Sequence, residues 1–116
     1  SPIISRATAL IAMNQPSLEK FEPLVEADGL IILDSSLVPV RPQRTDIKVF
    51  TIPATEMAYE MGNATYAGII LLGKLIGQTG IVTIGNFEEA LRSVLPARRH
   101  YMIPDEMIAL HKGMEA

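Results

Sequence analysis

Three short apolar runs, each followed by polar residues, constrain the fold of this chain most strongly. They are residues 8–13, 30–33 and 47–52, of which the third alternates apolar and polar residues through its first half. Buried strands of parallel sheets have nearly continuous apolar sequences of this length. Helical patterns follow the first and third runs, at about 16–25 and 54–62. A turn is predicted at residues 27–29, and an extended loop is predicted at residues 37–46, which contain Pro39 and Pro42. Because alternating strands and helices are typical of α/β proteins, the sequence predicts an α/β fold with a largely parallel sheet of at least three strands flanked by helices.

The length of the chain, 116 residues, suits a single unit of structure. We therefore interpret residues 1–116 as one α/β domain. Three strands make a thin sheet, and no Gly-rich strand–turn–helix opens the sequence. We expect further strands or a partner chain to complete a larger doubly wound domain.

Composition excludes several classes of function. The sequence has no cysteine, which excludes disulfides, thiolate zinc sites and cysteine-ligated iron–sulfur clusters on this chain. Its two histidines are too few for a histidine-built metal site, and its net charge of −3 does not suggest a nucleic-acid surface. The most apolar stretch, residues 66–77, is shorter than a membrane span, and residues 1–5 do not resemble a signal peptide. We therefore expect a cytoplasmic protein.

Residues 64–78 form a helical pattern that is apolar on most of its circumference. Only a stripe containing Lys74 and Gln78 is predicted to face water. Gly73 and Gly77 share one face, although each glycine costs a helix about 1 kcal/mol. We therefore expect another backbone to approach this face closely, either within the domain or across a subunit interface.

Two further helices are predicted near the end of the sequence. Asn86 and Glu89 have the spacing of a capping box. The helix that follows would place five apolar residues on one face: Phe87, Ala90, Leu91, Val94 and Leu95. Pro104, followed by two acidic residues, begins the last helix, and Gly113 could end it.

Polar side chains follow the end of each predicted strand. They are Asn14-Gln15, Asp34-Ser35-Ser36 and Thr55-Glu56. Because parallel strands end at the same edge of a sheet, a pocket for a phosphate or pantetheine-like group is predicted there, near helix N-termini. The candidate binding residues are Asn14, Gln15, Ser35, Ser36 and Thr55. The alternative interpretation is that these residues only cap helices and form turns.

No catalytic or metal-binding motif is present, so no catalytic residue and no metal ligand is assigned. Arg98-Arg99-His100 is the densest basic cluster and could meet a phosphate or an acidic partner. More often such a cluster is a solvated helix terminus. Arg41, Arg44 and Lys48 form a looser basic group with the same two interpretations.

Five segments, in order along the chain, resemble gamma subunits of 2-oxoacid:ferredoxin oxidoreductases, the pyruvate, 2-ketoisovalerate and 2-oxoglutarate ferredoxin oxidoreductase family. The first begins Leu-Ile-Ala-Met-Asn-Gln-Pro-Ser and covers residues 10–21. The others are residues 29–39, which include Asp-Ser-Ser, and residues 52–56, 62–63 and 71–75. The Gly-rich segment that opens family members is absent from this sequence. The resemblance therefore implies the C-terminal portion of a gamma subunit.

The resemblance also implies a reaction and a set of partners. The net reaction converts a 2-oxo acid and coenzyme A to acyl-CoA and CO2, with reduction of ferredoxin. Thiamine diphosphate, Mg and iron–sulfur clusters would lie on partner subunits, namely the alpha, beta and ferredoxin-like subunits. This chain could contact CoA, and an isolated chain could form a homodimer. Neither nucleic acid nor a membrane is an implied partner.

Two other functions stay open at this point. The chain could be a stand-alone small-molecule-binding α/β domain, which the polar strand ends favour. It could also be a purely structural assembly domain, which the glycine-faced apolar helix favours. The sequence does not name the oxo acid, although 2-oxoglutarate or a branched-chain oxo acid is preferred over pyruvate.

Overall fold

The computed structural model describes residues 7–80 and 83–116. Residues 1–5, considered above for a signal peptide, lie outside the described residues. The described part of the chain contains three strands, β1 (Ala7–Ala12), β2 (Val25–Asp34) and β3 (Lys48–Ile52). Its α-helices are α1 (Gln15–Phe21), α2 (Ala54–Glu60), α3 (Ala67–Thr79), α4 (Ile84–Val94) and α5 (Ile103–Glu115). Short 3-10 helices occupy Glu22–Leu24, Ala64–Tyr66 and Ala97–Met102.

The sheet has the order β1-β2-β3, and both pairs of strands are parallel. This confirms the predicted α/β fold and parallel sheet. The crossover from β1 to β2 contains α1, whereas the crossover from β2 to β3 is a proline-containing loop without a helix. Two prolines at positions 39 and 42 explain this difference, because proline disfavours helix in itself and in the preceding residue.

Helices cover both faces of the sheet. Successive residues of a strand point to opposite faces, so Ile31 and Leu33 face one side and Ile32 the other. Ile31 and Leu33 belong to the buried cluster that contains Leu18 of α1. Ile32 belongs to a second cluster with Ile70 and other residues of α3. Each of these named residues is at most 2% exposed, so both faces of the sheet carry a buried core.

The turn predicted at residues 27–29 is instead a bulge inside β2. Residues 7–9 of β1 pair across the same length of sheet as residues 25–30 of β2, so β2 carries extra residues. Asp28 adopts a φ of 67° within this bulge, and its N–H donates to the carbonyl of Asp46 at 2.7 Å. An Asp-Gly sequence suits a bulge as well as a turn, because both need a left-handed backbone.

The glycine face of α3 packs against another backbone, as predicted, and that backbone is α5 of the same chain. A Cβ placed on Gly73 would collide with the carbonyl oxygen of Leu110. A Cβ on Gly77 would lie 3.0 Å from the carbonyl oxygen of Met114. The sequence left open whether this close contact lies within the domain or across a subunit interface. In the structure it lies within the chain, between α3 and α5.

Gly113 has the reciprocal role on α5. A Cβ at this position would collide with the carbonyl oxygen of Ile70 on α3. The prediction that Gly113 ends the last helix is therefore wrong, since α5 continues to Glu115. The glycine is required by the crossing of the two helices and not by a turn.

Lys74 was predicted to face water, but it is buried, with only 8% of its surface exposed. Its ammonium group donates to the carbonyl oxygen of Ala116 at 2.5 Å and lies 5.8 Å from the centre of the Phe50 ring. The prediction failed because helical periodicity does not reveal what covers a face. Here α5 crosses over α3, and Ala116, the residue after α5, supplies a carbonyl partner for the lysine.

Helix α4 begins one turn earlier than its predicted cap. Thr83 is the N-cap, and its hydroxyl accepts from the N–H of Asn86 at 3.1 Å. No residue of α4 is buried. Of the five apolar residues predicted to share its inner face, Phe87, Leu91 and Leu95 are half-buried, whereas Ala90 and Val94 are exposed. The helix therefore packs on α5 only through the narrow stripe formed by Phe87, Leu91 and Leu95.

Candidate functional site

The three strands end at the same edge of the sheet. Ala12 of β1 pairs with Leu33 of β2, and Asp34 of β2 pairs with Ile52 of β3. The polar residues that follow these strands therefore begin at the same level of the sheet. The parallel register places all five candidate binding residues at this edge, as the sequence predicted. They are Asn14, Gln15, Ser35, Ser36 and Thr55.

Asp34 is the centre of the hydrogen bonding at this edge. Its side chain is fully buried. One carboxylate oxygen accepts from the N–H of Ser36 at 3.0 Å, and the other accepts from the hydroxyl of Thr55 at 2.5 Å. The N–H of Thr55 also donates to this carboxylate, at 3.2 Å. The aspartate thus joins the end of β2 to the start of α2.

The two serines extend this connection. The Ser36 hydroxyl oxygen accepts from the N–H of Glu56 at 3.2 Å, and the N–H of Ser35 donates to the carbonyl of Ile52 at 2.9 Å. The side chain of Ser35 is exposed. Ser36 and Thr55 therefore have structural bonds, whereas the Ser35 hydroxyl projects from the edge without one in the described part of the chain.

Asn14 and Gln15 fix the start of α1. The Asn14 side-chain oxygen accepts from the N–H of Ser17 at 2.8 Å, which is an N-cap bond. The Gln15 side-chain oxygen accepts from the N–H of Val40 at 3.2 Å, which ties the helix to the proline-containing loop. Both residues keep a side-chain NH2 group that could donate to a ligand.

The chemistry of this edge favours a neutral ligand group over a phosphate. Helices α1 and α2 have seven residues each, and Asn14, Asp34 and Ser36 already accept bonds from their first N–H groups. A phosphate would also lie near the Asp34 carboxylate, which repels it. Amide and hydroxyl groups of a ligand would match what the edge presents.

A cleft of about 130 Å³ lies beside this edge, between α1 and the proline-containing loop. Gln15 is the one predicted site residue among those that line it: Gln15, Leu18, Glu19, Glu22, Val40, Arg41 and Gln43. This volume is smaller than the roughly 300–1,000 Å³ of typical cofactor pockets. The cleft can therefore hold one side chain or a small polar group.

Arg44 is a structural clamp, although the sequence offered it only as part of a loose basic group. Its guanidinium bonds both carboxylate oxygens of Asp46, at 2.8 and 2.7 Å. It also donates to the carbonyls of Glu22 and Val25, at 3.0 and 2.5 Å. The hydrogen bond from Arg44 lowers the pKa of Asp46 below its ordinary value. The clamp fastens the loop to the end of the α1 segment.

Glu106 is a buried carboxyl group that sequence reasoning did not single out. It is 9% exposed, and its Oε2 has no hydrogen-bond partner among the described residues. Burial raises its pKa above the ordinary value. Burial also raises the pKa of Tyr66, and the nearby charges of Asp105 and Glu106 add to that increase. The only sequence signal was the acidic pair at the start of α5.

Within residues 7–80 and 83–116, no group of three or more His, Cys, Asp or Glu side chains could hold a metal ion. Over the same residues, none of the helices has the length and apolarity that crossing a membrane requires.

Comparisons with known proteins identify the family to which this α/β chain belongs. The family model for pyruvate ferredoxin/flavodoxin oxidoreductases matches residues 1–116. The chain therefore belongs to the pyruvate ferredoxin/flavodoxin oxidoreductase family.

Particular members of the family are similar to this chain over most of its length. Ketoisovalerate oxidoreductase subunit VorA of Methanothermobacter thermautotrophicus is 32% identical over 117 residues, which cover 99% of this chain and 24% of VorA. The chain thus spans about a quarter of this relative.

Two solved structures have the same fold. The gamma subunit of a keto/oxoacid ferredoxin oxidoreductase from Geobacter sulfurreducens matches with a TM-score of 0.79 and 24% identity, over 94% of this chain and 63% of its own. The 2-oxoglutarate:ferredoxin oxidoreductase from Magnetococcus marinus, with 2-oxoglutarate, coenzyme A and succinyl-CoA bound, matches with a TM-score of 0.77 and 17% identity. That match covers 93% of this chain and 19% of the other. At these identities the likeness establishes the fold.

Proposed function

We propose that this chain is the C-terminal portion of the gamma subunit of a 2-oxoacid:ferredoxin oxidoreductase. The observation that carries the proposal is the family match along the whole chain, residues 1–116. In this role the protein supports the cytoplasmic, CoA-dependent oxidative decarboxylation of a 2-oxo acid. The products are acyl-CoA and CO2, and the electrons pass to ferredoxin.

The reacting centres would lie on partner subunits. Thiamine diphosphate and Mg would be held by the alpha and beta subunits, and the iron–sulfur clusters by a ferredoxin-like subunit. The absence of cysteine from the sequence supports this division, because such clusters are held mainly by thiolates. This chain would then contribute assembly and contacts to a substrate, and no catalytic residue of its own.

The oxo acid is proposed to be branched-chain or 2-oxoglutarate rather than pyruvate. VorA is a ketoisovalerate oxidoreductase subunit, which favours the branched-chain acid. The Magnetococcus enzyme of the same fold acts on 2-oxoglutarate, which keeps that acid as the second candidate.

The role of the sheet edge is proposed to be contact with CoA, specifically with its pantetheine arm. The arm is neutral and carries amide and hydroxyl groups, which the Ser35 hydroxyl and the NH2 groups of Asn14 and Gln15 can bind. The buried Asp34 carboxylate argues against placing the phosphates of CoA at this edge.

A second role for the same residues has specific support. Ser36 and Thr55 already bond to the N–H of Glu56 and to Asp34. These bonds favour the interpretation in which the edge only holds β2 and α2 together, as part of a purely structural assembly domain.

The assignment is tested with the full-length protein, purified alone and together with the other subunits encoded beside it. Ferredoxin reduction is measured with ketoisovalerate, 2-oxoglutarate and pyruvate, each with thiamine diphosphate and CoA. We expect turnover only in the assembled enzyme. Turnover by the protein alone would contradict the assignment of the reacting centres, and an assembled complex inactive with every oxo acid would contradict the function.

The CoA contact is tested in the assembled enzyme with Ser35→Ala. Loss of one neutral hydrogen bond worth about 1 kcal/mol should raise KM for CoA about fivefold without changing KM for the oxo acid. Ser93→Ala, which alters an exposed serine of α4, is the matched control. Equal KM values for CoA in both variants would favour the purely structural role.

A further inference from the structure

The segment from the end of α4 to the start of α5 carries an unusual concentration of positive charge. Residues 90–104 contain three arginines, one histidine and no carboxylate, although the whole chain has a net charge of −3. Arg92 is paired with Glu88 at 3.5 Å. Arg98 and Arg99 are exposed and have no ion pair in the described part of the chain. Two adjacent guanidinium groups therefore face solvent.

The 3-10 helix of residues 97–102 determines which side chains point outward together. With three residues in each turn, positions i and i+3 overlie one another, so Arg98 and Tyr101 share a face. His100 turns inward, where its Nε2 lies 2.9 Å from the carbonyl oxygen of Leu95. Arg99 occupies the remaining outward direction. Arg98 and the exposed Tyr101 therefore share one face, and Arg99 is exposed in the same helical turn.

Two large hydrophobic side chains of the same segment are strongly exposed. Tyr101 is 78% exposed and Val94 is 75% exposed, the two largest exposures among the large hydrophobic residues of the described chain. We call Arg98, Arg99 and Tyr101 the basic–aromatic surface. Together with tryptophan, tyrosine and arginine are the residue types most enriched among energetically dominant interface residues.

We infer that the basic–aromatic surface docks onto an acidic surface of another subunit of the same enzyme, an inference that rests on the proposed function. Unpaired arginines next to an exposed aromatic ring fit carboxylates grouped around an apolar patch. A nucleic acid fits less well, because two arginines on a chain of net charge −3 neutralise few phosphates.

The experiment uses the full-length protein and the subunits encoded beside it, with Kd measured by calorimetry at low and high salt. R98E/R99E should weaken binding at least about tenfold at low salt and reduce the salt dependence of Kd, because charge reversal converts attraction to repulsion. R98K/R99K keeps the charge but loses the planar guanidinium, so its Kd should lie between those of wild type and R98E/R99E. Y101A should weaken binding at both salt concentrations.

K20E/K112E is the matched control, because it reverses two exposed basic residues elsewhere on the chain. Equal binding by R98E/R99E and wild type would overturn the inference and leave the proposed function standing. Equal losses of binding in R98E/R99E and K20E/K112E would also overturn it, since net charge alone would explain them. Wild-type protein that binds none of these subunits would contradict the proposed function itself. R98E/R99E could instead lose only self-association, or only binding to a duplex DNA probe. Either result would show that the basic–aromatic surface binds something other than a partner subunit, and would overturn the inference.

Discussion

At the scale of single residues, Asp34 organises more of this structure than any other polar side chain at the sheet edge. It is fully buried and receives bonds from Ser36 and Thr55, which lie 2 and 21 residues away. The sequence placed these residues at one edge because the strands were expected to be parallel. It did not show that Asp34 would bond to them, since that depends on how closely α2 follows β3.

Asp34→Asn should lower the free energy of unfolding by about 2 kcal/mol, because an amide NH2 would face donors that now bond to a carboxylate. Urea denaturation of the protein measures this change. Ser35→Ala, at the exposed neighbouring residue, should change stability by less than about 0.5 kcal/mol. A similar effect of both substitutions would show that the buried carboxylate is not the connection between β2 and α2.

Glu106 gives a prediction about pH. Its folded-state pKa is raised by burial, so the folded protein holds this proton more tightly than the unfolded chain. The resulting stabilisation is present below the ordinary carboxyl pKa of 4.5 and is lost as pH rises through the raised value. Glu106→Gln should therefore gain stability relative to wild type as pH rises from about 4 to about 7.

The measurement for Glu106 is urea denaturation across that pH range. Asp105→Asn is the control, because Asp105 is an exposed carboxylate in the same helical turn. A constant difference between Glu106→Gln and wild type at every pH would mean that this carboxyl group titrates normally.

At the scale of secondary structure, the contact between α3 and α5 leaves no room for side chains at its glycines. Gly73 faces the backbone of Leu110, and Gly113 faces the backbone of Ile70. Backbone atoms cannot move aside as a flexible side chain can. The sequence indicated a close approach on this face of α3, but only the structure identifies the partner as α5.

Gly73→Ala should destabilise the protein by about 1–3 kcal/mol through overpacking, and Gly73→Leu by more. Gly68 lies on the same helix, and a methyl group at that position would have no atom of another element within 4 Å, which makes Gly68→Ala a matched control. That substitution should stabilise the helix by up to about 1 kcal/mol. Thermal unfolding of the variants would refute the close contact if Gly73→Ala were as stable as Gly68→Ala.

Local sequence patterns predicted the positions of the helices and strands well, but they predicted the burial and contacts of individual side chains less well. The three strands and the loop around Pro39 and Pro42 follow from runs of apolar residues and from proline geometry. The bulge at Asp28 was predicted as a turn, because an Asp-Gly sequence such as Asp28-Gly29 is common in both bulges and turns. The burial of Lys74 and Glu106 was missed, since each depends on contacts between α5 and elements distant in sequence.

At the scale of the whole molecule, stability is unevenly distributed. Helix α3 has seven buried residues, whereas α4 has none and contacts α5 along a narrow edge. We expect backbone amides of α4 to exchange with deuterium faster than those of α3, because local opening of α4 exposes little buried apolar area. Exchange followed by mass spectrometry, corrected for intrinsic rates, measures this. Equal protection of both helices would contradict it and imply that α4 opens only with the core.

The crossover between β2 and β3 has a consequence for how the chain reaches its fold. A helical crossover forms part of its structure locally, but this loop must close as a flexible segment before β3 can pair. Arg44 fastens the closed loop through bonds to Asp46 and to the carbonyls of Glu22 and Val25. The bonds to the Glu22 and Val25 carbonyls exist only once the loop has reached the segment after α1. We therefore expect Arg44 to slow the separation of β3 from β2 and so to lengthen the lifetime of the complete sheet.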